Sequence, residues 1–163
     1  MSAIDQLLDN AASYPERSQE RGHIDRHPRL KLSIVACMDS RMDLFKMLGL
    51  AVGDAHLLRN AGGVVTDDVI RSLVISQRAL RTEEILLIHH TDCGLQTLSD
   101  DAFKDSIEQE TGIRPAWAVE SFRDPFADVR QSMNRIRHNP FLVTKDQVRG
   151  FVYDVDSRKL LEA

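Results

Sequence analysis

Short apolar runs recur along this chain, each followed by a stretch with helical spacing. That alternation restricts the possible folds more than any other feature of the sequence. LSIVA at 32–36 reads as a buried strand that ends at Cys37. AHLL at 55–58 and ILLI at 85–88 have the same character, and AWAV at 116–119 predicts a fourth strand. VRGFVYDV at 148–155 alternates like a strand at a sheet edge, with Gly150 placed for a bulge. Between these runs, MDLFKML at 42–48 predicts a short helix that stops near Gly49. A longer helix is predicted over 67–80, with Thr66 as its cap and Asp67 and Asp68 in its first turn. Val69, Ile70, Leu73, Val74 and Leu80 supply its apolar side. Two more helices are predicted, over 98–110 up to Gly112 and over 124–137 with Pro125 near its start. The result is an α/β fold: a mostly parallel central sheet covered by helices.

The N-terminal part stands apart from this pattern. Residues 4–10 suit a short helix, and SYPERSQERGHIDRHPR at 13–29 is polar and turn-rich, an arm rather than a core element. The expected organisation is therefore a helix and arm over 1–30, then one α/β domain over 31–163. A formal charge of −4, with no basic stripe, argues against nucleic acid as a partner. No apolar run is long enough for a membrane-spanning helix. The first twenty residues lack the basic-then-apolar pattern of a secretory signal, so a cytoplasmic location is expected. Only two cysteines occur, Cys37 and Cys93, and nothing disulfide-rich surrounds them.

Those two cysteines lie at equivalent places. Cys37 closes the first predicted strand, and Cys93 lies just beyond the third, in IHHTDCG at 88–94. Open parallel sheets gather ligands outside the carboxyl ends of their strands. ACMDSR and HHTDCG are therefore expected to meet in space. Two thiolates and one imidazole suit zinc, because the soft, charged sulfurs offset the charge of the cation. Water or a carboxylate would complete the site. Asp39 is the candidate, either as a ligand or as a partner, and Arg41 can hold its carboxylate with a bidentate hydrogen bond. His89 and His90 are adjacent, so on an extended strand only one of them faces the metal. The residues alone leave open which one. His56 is expected to be a satisfied buried or interface histidine, and His23, His27 and His138 to be exposed.

With RNAGG at 59–63 added to CMDSR at 37–41 and HHTDCG at 89–94, the chain resembles the β-class carbonic anhydrases, of the smaller bacterial type, over about residues 30–155. The resemblance implies that Cys37, His90 and Cys93 are the zinc ligands, with one ion per subunit, and that Asp39 and Arg41 form the catalytic dyad. It implies four parallel strands extended by a further C-terminal strand. It also implies a homodimer or homotetramer, with the N-terminal arm wrapping a neighbour. The implied reaction is reversible hydration of carbon dioxide to bicarbonate and a proton through zinc-bound hydroxide. A carbonyl sulfide or carbon disulfide hydrolase on the same fold is the alternative enzyme, and a non-catalytic zinc-stabilised protein the alternative outside enzymes. Two positions depart from many members. Ile34 stands where several bacterial enzymes carry the tryptophan of an inhibitory bicarbonate site, so that site is not expected here. His89 stands where glycine is common, and packing or subunit contact is its expected role.

Overall fold

The computed structural model describes residues 2–18 and 22–163. The predicted arm includes residues 19–21, which lie outside the described residues. Five strands form one sheet: β1 (Leu32–Cys37), β2 (Ala55–Asn60), β3 (Glu84–His90), β4 (Val148–Tyr153) and β5 (Leu160–Glu162). Their order is β2-β1-β3-β4-β5. The first four run parallel, and β5 pairs antiparallel with β4. The expectation of four parallel strands plus an added C-terminal strand therefore holds.

Two strand assignments made from the sequence do not hold. Residues 116–119 form no strand, and Trp117 is 56% exposed. A four-residue apolar run carries too little information to separate a strand from an apolar loop wall. The fourth parallel strand is β4, which the sequence places at a sheet edge. It lies instead between β3 and β5, and its register runs through Gly150, opposite Leu87, without a bulge. The glycine answers a packing demand. A Cβ there would lie 2.2 Å from Val129 Cγ1 and 3.1 Å from Met133 Sδ. The helix carrying Val129 and Met133 can approach β4 only because residue 150 has no side chain.

That helix is α6 (Pro125–Arg137), capped by the Asp124 side chain. With α4 (Asp67–Arg78), which Thr66 caps, it covers one face of the sheet. Val35, Leu87 and Val152 of the sheet pack there against Leu73, Val129 and Ile136. The other face buries Ile34, Ala36 and Ile88 beneath Met42, Leu44 and Leu95. Leu44 begins the short helix α3 (Leu44–Leu48), which ends at left-handed Gly49 as the sequence predicts. Because β1 is sandwiched, every residue from Ser33 to Cys37 is buried. This is why LSIVA reads as an unbroken apolar run. Helix α5 (Asp100–Thr111) buries no residue fully, and on its predicted apolar side Ile107 is partly covered and Phe103 is 37% exposed. Helix α1 (Ala3–Ala12) has a capping box at Ser2 and buries nothing, while Ile4, Leu7 and Leu8 are exposed. The one-turn helix α2 (Tyr14–Arg17) follows it.

Gly150→Ala is expected to destabilise the protein by about 1–3 kcal/mol, the usual cost of forcing volume into a packed interior. The double variant Gly150→Ala/Val129→Ala should be more stable than the two single losses add up to, because the smaller residue vacates the contested space. Urea denaturation of the three variants checks this, and strictly additive losses would reject the contact as the cause.

Candidate metal centre

The order of the strands fixes where a ligand can sit. The connection after β1 leads to one side of it, and the connection after β2 leads to the other. This reversal opens a crevice outside the carboxyl ends of β1 and β3. Cys37 is the last residue of β1 and His90 the last of β3. Cys93 lies three residues further, at the start of a 3-10 turn over Gly94–Thr97, where its backbone N–H donates to Gln96 Oε1. The alternation of β3 separates its two histidines. His89 follows the parity of Ile85 and Leu87 toward α6, whereas His90 follows Leu86 and Ile88 toward the other face.

Cys37, His90 and Cys93 are all buried, and their ligand atoms lie within 4.8 Å of one another. Donors that share one zinc ion at about 2.0–2.3 Å are at most about 4.6 Å apart, so the cluster has the scale of a zinc site. The imidazole is already oriented for this role. His90 Nδ1 lies 2.8 Å from the Thr91 carbonyl oxygen, which can only accept, so Nδ1 carries the proton. Nε2 is left as a bare lone pair, buried and without a hydrogen-bond partner. A second-row hydrogen bond on one nitrogen and a free lone pair on the other is the arrangement a metal-binding histidine needs. The thiols give the same answer. The neighbouring Cys93 side chain, helped by His90, draws the Cys37 thiol well below its ordinary value against the effect of burial, and Cys37 together with burial pushes Cys93 up. One of the two sulfurs ionises easily and the pair resists a second charge unless a cation sits between them. The residues fit zinc.

Beside this cluster, Arg41 holds Asp39 in a fork. Its Nε donates to Asp39 Oδ1 at 2.9 Å and its Nη2 to Oδ2 at 2.8 Å. The Arg41 side chain is the largest cause holding the Asp39 carboxyl far below the usual carboxylate range, against the opposing effect of burial. Asp39 Oδ2 is 3.7 Å from His90 Nε2. The same guanidinium reaches the other loop, donating from Nη1 to Asp92 Oδ2 at 2.8 Å and from Nη2 to the Asp92 carbonyl at 2.9 Å. Arg59 acts on the backbone: it donates from Nε to the Cys37 carbonyl at 2.9 Å and from Nη2 to the Asp39 carbonyl at 2.6 Å. These bonds give Arg59 a role in holding the loop backbone. Asn60 ties its own loop through Nδ2 to the Val64 carbonyl. Gly63 allows that loop to press on β1. At φ +73° it takes a conformation side chains disfavour, and a Cβ would lie 2.7 Å from the Cys37 nitrogen.

The remaining histidines lie apart from the cluster, although His89 Nδ1 is also buried without a hydrogen-bond partner. His89 is fully buried, with Nε2 2.7 Å from Asp128 Oδ2 and its ring centroid 5.5 Å from that of Phe122, which is the packing role expected. Asp128, in the first turn of α6, carried no sequence signal, because nothing links it to His89 except the fold. His56 Nδ1 lies 2.7 Å from Ser76 Oγ, and the ring also bonds the Arg26 backbone, so His56 is a satisfied histidine. His23 and His138 are exposed, and His27 pairs with Asp25 and is partly covered. Over the cluster opens a cavity of about 1020 Å³ with Leu58, Val64, Leu95, Phe103 and Trp117 among its walls.

The family model described as carbonic anhydrase matches residues 32–120, more than half of the chain. Beta-carbonic anhydrase 1 of Mycobacterium tuberculosis is 53% identical over 162 residues, 99% of this chain and 98% of that protein. A carbon disulfide hydrolase of Acidithiobacillus thiooxidans is 29% identical over 182 residues, 96% of this chain and 83% of that protein. Among solved structures, the carbonic anhydrase of Streptococcus mutans superposes with a TM-score of 0.92 at 39% identity, covering 99% of this chain and 98% of that one.

A depressed carboxyl contributes stability above its unfolded value, about 3.9 for aspartate, and that stability is lost as pH falls toward the folded value. The Asp39–Arg41 pair is thus charged through neutral and mildly acidic pH. Arg41→Ala should raise the midpoint of Asp39 toward the ordinary carboxylate range. Carbon-detected NMR of the Asp39 side chain in metal-free protein checks this, and an unmoved midpoint would rule out Arg41 as the cause.

Proposed function

This chain belongs to the β-carbonic anhydrase family, and from that premise we propose how its residues carry out reversible hydration of carbon dioxide to bicarbonate and a proton. The enzyme's cofactor is zinc, and Cys37, His90 and Cys93 would hold it. The observation that carries this assignment is the buried, convergent set with its one unpaired imidazole nitrogen beside the Asp39–Arg41 fork. When bound there, zinc supplies the acidification of water that makes a nucleophile available near neutral pH.

The other roles belong to the chain. Asp39 is an orienting acceptor. Its Oδ1 accepts from both the backbone N–H and Nε of Arg41, while Oδ2 accepts from Nη2 and keeps a lone pair for an O–H donor in the crevice. It is a poor proton acceptor, because Arg41 holds its carboxyl so low. Arg41 fixes the direction of the carboxylate, and Arg59 fixes the backbone on either side of Met38. The apolar cavity wall suits a linear, uncharged substrate. Among the described residues, His90 is the histidine that lines that cavity. Carbonyl sulfide and carbon disulfide are linear electrophiles as well, and parallel rate measurements with carbon dioxide and carbonyl sulfide decide between the readings.

We further propose that residues 1–30 form an arm and 31–163 the catalytic domain, and that the protein is a homodimer or homotetramer in the cytoplasm. The exposed Ile4, Leu7 and Leu8 on a helix that buries nothing of its own chain support the arm as a subunit contact. Exposed Trp117 at the cavity wall supports a neighbour covering the site. Two thiols kept as ligands fit a reducing compartment. No helix among the described residues is long and apolar enough to cross a membrane.

Stopped-flow hydration on protein of measured zinc content tests the roles. Cys37→Ser should lose zinc and activity together. Asp39→Ala should keep zinc and lose about 10²-fold in kcat, the scale of removing one fixed hydrogen-bonding group from a reaction site. Full zinc in Cys37→Ser, or parent-like rates in Asp39→Ala, would overturn the assignment concerned. Leu7→Asp/Leu8→Asp should lower the mass seen by sedimentation velocity, and an unchanged mass would remove the arm from the interface.

A further inference from the structure

We propose that Asp92 is a positioning residue for this reaction: its carboxylate tethers Arg41 and, through Arg41, holds Asp39 off the metal position. The proposal rests on the ligand and acceptor roles assigned above. The hydrogen bonds define the tether. Arg41 engages Asp39 through Nε and Nη2, and engages Asp92 through Nη1 to the carboxylate and Nη2 to the carbonyl. One rigid, planar group therefore spans the loop after β1, which carries Asp39, and the turn after β3, which carries Cys93.

The backbone at Asp92 is shaped for this contact. Its φ is +55°, a left-handed conformation that few residues other than glycine, asparagine and aspartate adopt. In that conformation both its carbonyl and its carboxylate meet the same guanidinium. The side chain of Asp92 is 77% exposed, so its ion pair contributes little to folding. Its place opposite Arg41 matters for geometry instead. Asp39 Oδ2 is already 3.7 Å from His90 Nε2, so a small swing of the carboxylate brings it among the proposed ligands. The Arg41 backbone N–H also holds Asp39 Oδ1, and the guanidinium, which holds Oδ2, resists the swing as far as it is itself anchored. Its anchor on the far side is Asp92.

The test compares Asp92→Gly, which keeps the left-handed backbone and removes the carboxylate, with Asp92→Asn, which keeps an acceptor oxygen and tolerates the same backbone. In zinc-loaded Asp92→Gly, kcat for carbon dioxide should fall about two- to fivefold, the range an exposed ion pair spans, with KM unchanged. In cobalt-substituted protein, the azide dissociation constant read from the visible spectrum should rise by the same factor, because azide also needs Asp39 off the metal. Asp92→Asn should recover most of both losses. Asp92→Gly with parent-like kcat and azide affinity overturns the proposal. So does a fall in kcat with azide affinity unchanged, or an equal loss in both variants. A parent protein that takes up no cobalt, or does not hydrate carbon dioxide, would instead refute the assignments beneath it, and this is visible before any Asp92 variant is compared.

Discussion

The contact between the Cys37 and Cys93 sulfurs beneath the bare Nε2 of His90 is the interaction on which the rest of this molecule depends. Three buried lone-pair groups face one another at the cavity wall, and His90 Nε2 has no hydrogen-bond partner. Burying unpaired polar groups is costly, and burying two sulfur charges side by side is more so. A divalent cation removes both costs at once. The folded chain therefore holds in place a site whose own electrostatics favour zinc, and binding free energy adds to folding free energy there.

Holding that arrangement requires stiffness at the ends of two strands. β1 supplies it by burial on both faces, which leaves Cys37 no alternative position. Gly63 brings the loop after β2 against the backbone of Cys37, and Arg59 fastens the carbonyls of Cys37 and Asp39 from the same side. β3 is held from the opposite face, where His89 and Asp128 join its last turn to α6. Glycine at 150 lets α6 approach closely enough to do so. The packing of a residue remote from the metal is thus linked to the direction in which His90 points.

Much of this was legible in the sequence, for definite reasons. Strands buried on both faces read as apolar runs, so β1 and β3 were visible, and with them the strand ends where Cys37 and His90 lie. Resemblance, rather than spacing, chose His90 over His89. The parity of β3 gives the same choice once Ile85 and Leu87 are seen to face α6. What stayed hidden are the relations between elements. AWAV has the composition of a strand, yet no neighbouring strand is free to pair with it, and it becomes a cavity wall. Gly150 looked like a bulge because its reason, the side chains of Val129 and Met133, lies on another element. Asp92 lies inside HHTDCG, where nothing marks it as a partner of Arg41. Its contact with Arg41 crosses between loops, and no local pattern announces such a contact.

The division of labour between the two arginines follows from what each one touches. Arg59 donates to carbonyl oxygens, which are neutral and fixed, so its effect there is to hold backbone. Arg41 donates to two carboxylates and a carbonyl, and the negative charge beside it pushes its own proton affinity further up. A carboxylate so paired keeps its charge but loses most of its basicity. That combination suits a group that must accept a hydrogen bond without taking the proton, next to a metal it must not bind. Replacing Arg41 with lysine would preserve the charge and lose the planar fork, and so would separate direction from charge as requirements of the site.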